Sequence, residues 1–145
     1  MAKFYIVRAD GTKVPFEGFG MLANVEQVTV DKTLTVEDSG KTFILNGATD
    51  GAEILLPPVF NGMYYKFKVG ANFATTDWTI VSTTNVIQGH ALVAGAPVVA
   101  VNENTISFVS TVESVGDYVE IESDGTNIYV NGSAVTALSI TFTAP

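Results

Sequence analysis

The 145-residue sequence contains no cysteine, so disulfide frameworks, thiolate metal sites and thiol nucleophiles are excluded. It has one histidine, which rules out metal centres built from several imidazoles. Only 15% of the residues are charged, and after Lys68 there is no lysine or arginine at all. A net charge of −8 lacks the basic clusters that release counterions from a nucleic acid, so no nucleic-acid partner is expected. Long hydrophobic runs are also missing. The most apolar stretch, 91–101, is interrupted by Gly95 and Pro97 and falls short of the roughly 20 residues a membrane helix needs. The first residues, MAKFYIVRADG, lack the apolar core and small-residue cleavage site of a secretory signal. The expectation is a chain complete from Met1, assembled in the cytoplasm and not embedded in a membrane.

What charge there is divides unevenly. Residues 1–68 hold seven basic and eight acidic residues, while 69–145 hold seven acidic residues and no basic one. A near-neutral part that docks on a partner, followed by an acidic part facing water, fits this division. Solubility alone would fit it too. The positive mean hydropathy suits a β-protein rich in Val, Ala, Thr and Gly, or a surface partly buried between subunits.

Turn dipeptides set the reading of the fold. Ser39-Gly40, Asn46-Gly47, Asp50-Gly51 and Asn61-Gly62 punctuate short apolar runs, and such pairs reverse a chain easily. The runs 41–45, 52–56 and 63–69 are therefore expected to form a three-stranded antiparallel meander, the second ended by Pro57-Pro58. Upstream, KFYIVR and 12–16 are expected to pair about Asp10-Gly11, with Pro15 marking an edge. Residues 25–30 read as a strand by alternation. Downstream, 78–82 places Trp78, Ile80 and Ser82 on one face, with Trp78 as a core or interface anchor. Strands are also expected within 85–93 and at 105–109. The apolar run 97–101 suits burial on both faces. In 117–122, Tyr118, Glu120 and Glu122 share one face, opposite Val119 and Ile121. Asp124-Gly125 and Asn131-Gly132 are read as further turns, leading to 138–142. Strands at intervals of about 8–12 residues predict an all-β antiparallel sandwich or barrel-like subunit built from hairpins, with little helix and no internal repeat. Residues 1–29 are taken as an N-terminal hairpin or arm, and 30–145 as the body of one domain.

No catalytic constellation emerges. His90 in NVIQGHALV has no nucleophile-elbow pattern near it. Glu37-Asp38 read as the start of a turn, not as a paired-carboxylate site. Glu120, Glu122 and Asp124 offer oxygen ligands, but SDGTN lacks the spacing of a calcium loop. Gly18–Gly20 lacks the Lys-Ser/Thr pair of a phosphate loop. Asn131-Gly132-Ser133 matches a glycosylation sequon that a tight turn explains equally well. No enzyme, metal or cofactor is expected.

The segments TLTVEDSGKTFILNGATDGAEILLPP, NVIQG and ESVGDYVEIESDGTNIYVNG resemble a group of small phage virion proteins, the head decoration or cement proteins. Related wording occurs in phage tail-fibre and tailspike modules. The likeness runs from about Val30 onward and rests on structural signatures: LT..DSGK.F.L, an apolar strand ending in Pro, and the SDGTN.YV.G hairpin. It implies an all-β, trimeric subunit of the virion that clamps the capsid exterior through the major capsid protein. The alternative it leaves open is a tail-fibre, baseplate or receptor-binding module that recognises host glycans through exposed Tyr and Asn. A complete chain of this length tells against a fibre. An unrelated carbohydrate-binding or hydrolytic sandwich stands third. If the chain is a decoration protein, the candidate capsid contacts are Lys3, Phe4, Tyr5, Ile6, Arg8 and Lys13, whose extended segment would add to a sheet edge of the shell.

Overall fold

A computed structural model describes residues 5–15, 24–47 and 50–145. The protein is a β-sandwich of two mixed sheets, and its described residues contain no α-helix, only a 3-10 turn at Val36–Asp38. The N-terminal hairpin, β1 (Tyr5–Val7) and β2 (Lys13–Pro15), forms a separate two-stranded sheet. The body begins with β3 (Val25–Val28), β4 (Lys32–Thr33), β5 (Thr42–Leu45), β6 (Glu53–Leu55), β7 (Asn61–Val69) and β8 (Trp78–Val81). It continues with β9 (Ile87–Val93), β10 (Ala96–Glu103), β11 (Thr105–Phe108), β12 (Tyr118–Asp124), β13 (Ile128–Ala134) and β14 (Ile140–Thr143). The larger sheet has the order β10-β9-β13-β12-β7-β5-β3 and the smaller β14-β11-β8-β6-β4.

The expected meander is not what the chain forms. β5 and β7 are parallel neighbours in the larger sheet, while β6 lies in the smaller one, parallel to β4 and β8. From β3 to β8 every strand changes sheet, so three turns of chain coil around one core, each adding a parallel strand to both sheets. The glycines at the corner explain the misreading. Neither Gly47 nor Gly51 has positive φ. A Cβ on Gly47 would collide with the Asp50 carbonyl, and one on Gly51 with the backbone of Thr76 and Asp77. These glycines permit close approach of backbones at a corner, where the sequence pattern suggested reversal.

One other Asn-Gly pair also differs from expectation: Asn131-Gly132 sits inside β13. A Cβ on Gly132 would lie 2.5 Å from the Tyr118 carbonyl oxygen, so the neighbouring strand requires glycine there. The hairpin β9–β10 turns instead at Ala94-Gly95, both with positive φ. Of the expected turns, Asp10-Gly11 and Asp124-Gly125 close hairpins, while Ser39-Gly40 and Asn61-Gly62 turn the chain into β5 and β7, each with a positive-φ glycine and a backbone bond across the turn at 3.2 and 3.3 Å. The run 97–101 is not buried on both faces: β10 is the edge strand of its sheet, and Val99 and Val101 are 61% and 60% exposed. β3, although within residues 1–29, is the opposite edge strand of the body.

The core follows the coil. Phe43 and Phe67 are register partners on adjacent parallel strands, with ring centroids 5.7 Å apart and nearly parallel planes. Tyr65 packs against both rings, and its hydroxyl donates to the Thr35 carbonyl at 2.8 Å. Burial of that phenol pushes its pKa up to about 12. Trp78, Ile54 and Ile80 fill the facing sheet, so Trp78 is a core anchor. Val119 and Ile121 point inward, as the alternation of β12 predicts.

Charges close the open side at β3 and β4. Glu26 of β3 accepts from Lys32 of β4 at 2.6 Å and from Lys41 at 3.1 Å, and Lys41 also meets Asp38 at 2.6 Å. Lys32 Nζ sits 5.9 Å from the Phe43 ring centre. Charged side chains turned toward the core at an edge discourage further strand addition.

Two predictions follow from packing and charge. Phe43→Ala removes the central ring of the stack and should cost about 3–5 kcal/mol in urea unfolding, whereas a loss under 1 kcal/mol would mean the parallel stack is not the core. Hydrogen bonds from Lys32 and Lys41 lower the Glu26 pKa, and the bond from Lys41, then that from the Thr35 N–H, lowers that of Asp38. Their stabilisation is present above the ordinary carboxylate values and is lost as pH falls below 4.5, the ordinary glutamate value, through the depressed folded values. The Lys32→Met/Lys41→Met double variant should therefore show a shallower loss of urea midpoint below that pH than the parent. Equal acid slopes would contradict the coupling.

Candidate functional surfaces

Two surfaces carry the exposed side chains most suited to recognition. The first is the hairpin. Asp10 Oδ1 accepts the Thr12 N–H at 2.9 Å and its hydroxyl at 2.7 Å, which fixes the turn and lowers the Asp10 pKa. Arg8 and Thr12 bond through their backbones at 2.9 Å, and residues 7–12 are exposed, Val7 by 61%. Of the six predicted contact residues, Tyr5 and Ile6 lie on β1, Arg8 at its end and Lys13 on β2 opposite Val7. Hairpin pairing brings Tyr5, Ile6, Arg8 and Lys13 into one small unit. Lys3 and Phe4 lie outside the described residues.

The second surface is the outer face of the larger sheet, where register aligns side chains in rows across the strands. One row reads Tyr64, Glu122, Tyr129, Gln88 and Val101; the next reads Lys66, Glu120, Asn131, His90 and Val99. Lys66 and Glu120 pair at 2.9 Å, which raises the Lys66 pKa, and Lys66 Nζ lies 4.6 Å from the Tyr118 ring centre. A shallow depression of about 90 Å³ opens between Tyr64, Glu120, Glu122, Tyr129 and Asn131. Tyr129 donates its hydroxyl to Asp124 Oδ2 at 3.0 Å.

Asp124 itself is occupied by its turn. Its Oδ1 accepts the N–H groups of Thr126 and Asn127 at 2.8 Å each, and these bonds lower its pKa. With Glu120 held by Lys66, the three acids considered as oxygen ligands do not converge. Among the described residues no group of three metal-ligating side chains is assembled. Glu37 and Asp38 lie in the 3-10 turn, where Asp38 caps the backbone of Thr35. His90 stands exposed between Val99 and Asn131.

Sequence reasoning placed Glu120 and Glu122 on one face but did not bring Tyr64 and Tyr129 to either side of Glu122. The available signal was the alternation in NGMYYKF and NIYVNG; the neighbour relation between β7, β12 and β13 supplied the rest. No family model matches the chain, and a search of curated proteins found no match.

Proposed function

We propose that this chain is a structural virion protein, a decoration or cement protein that binds the outside of a phage capsid as a homotrimer and stabilises the head. The observation that carries the reading is the N-terminal hairpin, which joins neither sheet of the body. A two-stranded hairpin alone is marginally stable in water. It gains most by adding to the edge of another sheet, and a shell protein supplies such an edge.

The two hairpin edges are not equivalent. Pro15 leaves β2 without one N–H, so β1, with Tyr5 and Ile6, is the better strand to extend a partner's sheet. Arg8 and Lys13 add positive charge beside it. The body contributes rigidity: a coiled, doubly layered core resists deformation while the arm grips. In a trimer, three weak arms act together through their effective concentration, so binding to the head need not rely on any one strong contact.

Removing residues 1–12 should leave the oligomer intact and abolish co-sedimentation with purified heads. Arg8→Glu in the full chain should weaken that association and make it more sensitive to salt. A truncated protein that still sediments with heads contradicts the arm's role.

A further inference from the structure

We propose that the depression on the outer face of the larger sheet binds neutral hexose oligosaccharides, with Tyr64 and Tyr129 as stacking platforms and Glu122 and Asn131 as hydroxyl partners. Glu122 is the register partner of both Tyr64 and Tyr129, so the two rings stand on one face with a single carboxylate between them. They are separated by two strand spacings, roughly 10 Å. That span matches a short oligosaccharide laid across the strands. Tyr64 is 37% and Tyr129 42% exposed. Amphipathic rings held this way offer an apolar face to the C–H side of a sugar while the hydroxyls turn to polar neighbours.

The polar groups divide into those already engaged and those left over. Glu120 is held by Lys66, and the Tyr129 hydroxyl by Asp124, so both are fixed in place before any ligand arrives. Glu122, Asn131 and Tyr64 line the same depression. Among the described residues they have no side-chain hydrogen bond that would compete with a ligand. An ionised carboxylate accepts strongly from hydroxyls, and an amide both donates and accepts.

Charge selects the class of sugar. With Lys66 paired to Glu120, Glu122 is the carboxylate that lines the depression without an ion-pair partner among the described residues; the next cation on this face, Lys68, stands two residues farther along β7, opposite Tyr118. Sialylated, sulfated and phosphorylated glycans are therefore disfavoured. The site stands on three hydrogen-bonded strands of a seven-stranded sheet, so little ordering cost attends binding. This inference concerns the sheet face alone and does not rest on the arm or on the virion reading.

The test is an NMR titration of the ¹⁵N-labelled full chain with maltohexaose, cellohexaose and mannohexaose, with 3′-sialyllactose as the anionic control. At least one neutral probe should give saturable shifts at Tyr64, Glu122, Tyr129 and Asn131, with a Kd in or below the order of millimolar. Tyr64→Ala and Tyr129→Ala should each weaken binding about tenfold, and Glu122→Gln should weaken it while the stacking shifts persist. Amide spectra of the three variants report whether each keeps its fold. No saturable shift with any neutral probe overturns the proposal. So do shifts that survive in the Tyr64→Ala/Tyr129→Ala double variant, or equal binding of the sialylated control.

Discussion

Between β3 and β8 each strand lies in the sheet opposite its predecessor, and this alternation constrains the rest of the molecule. Because the chain coils, strands that are distant in sequence become parallel neighbours, and like residues stack above one another. Phe43 rests on Phe67, and Val28, Leu45 and Val69 place buried apolar side chains at one register position on three successive parallel strands. The later strands then close the sandwich around this coil. β12 and β13 insert between β7 and β9, and β11 continues the smaller sheet from β8. The side-chain rows on the outer face depend on β7, the last strand of the coil in that sheet, lying beside β12.

A coil with open sides has edges to manage, and the protein treats its edges differently. At β3 and β4 the ion pairs around Glu26, Lys32 and Lys41 cover the apolar interior. At the other end β10 runs beside β14, and its register breaks between Val101 and Glu103, where Asn102 takes positive φ. Bulges of this kind bend an edge and end its pairing. The N-terminal hairpin pairs in unbroken register from Tyr5 to Val7, and the proposed adhesive role requires one of its edges to accept a partner strand.

The sequence disclosed strand positions well and strand partners poorly. Period-2 alternation identified β3, β8 and β12, because burial on one face leaves a local trace. The partner of each strand depended on what the glycines were for. At Asp10-Gly11 and Asp124-Gly125 glycine supplies positive φ, and the hairpin reading holds. At Gly47, Gly51 and Gly132 it makes room for another backbone, which only the folded chain reveals. Ala94-Gly95 reverses the chain without the Asn or Asp that would have announced it. The run 97–101 looked fit for a core because it is apolar, yet its place at an edge leaves Val99 and Val101 in the open. Of the two candidate surfaces, the arm was legible as a local hairpin, while the tyrosine pair was not, since Tyr64 and Tyr129 flank a strand that begins 54 residues beyond Tyr64.

The structure is a sandwich of two mixed sheets with a separate N-terminal hairpin, and the two proposals assign strand addition to the hairpin and sugar binding to the outer face of the larger sheet. The claim that the chain clamps a capsid is tested most directly by single-particle imaging of intact phage particles. The account predicts density for this sandwich at threefold or quasi-threefold positions of the head, with the hairpin against the shell and Tyr64 and Tyr129 facing outward. Density on the tail, or a sandwich seated on the head with its hairpin turned away from the shell, would contradict it.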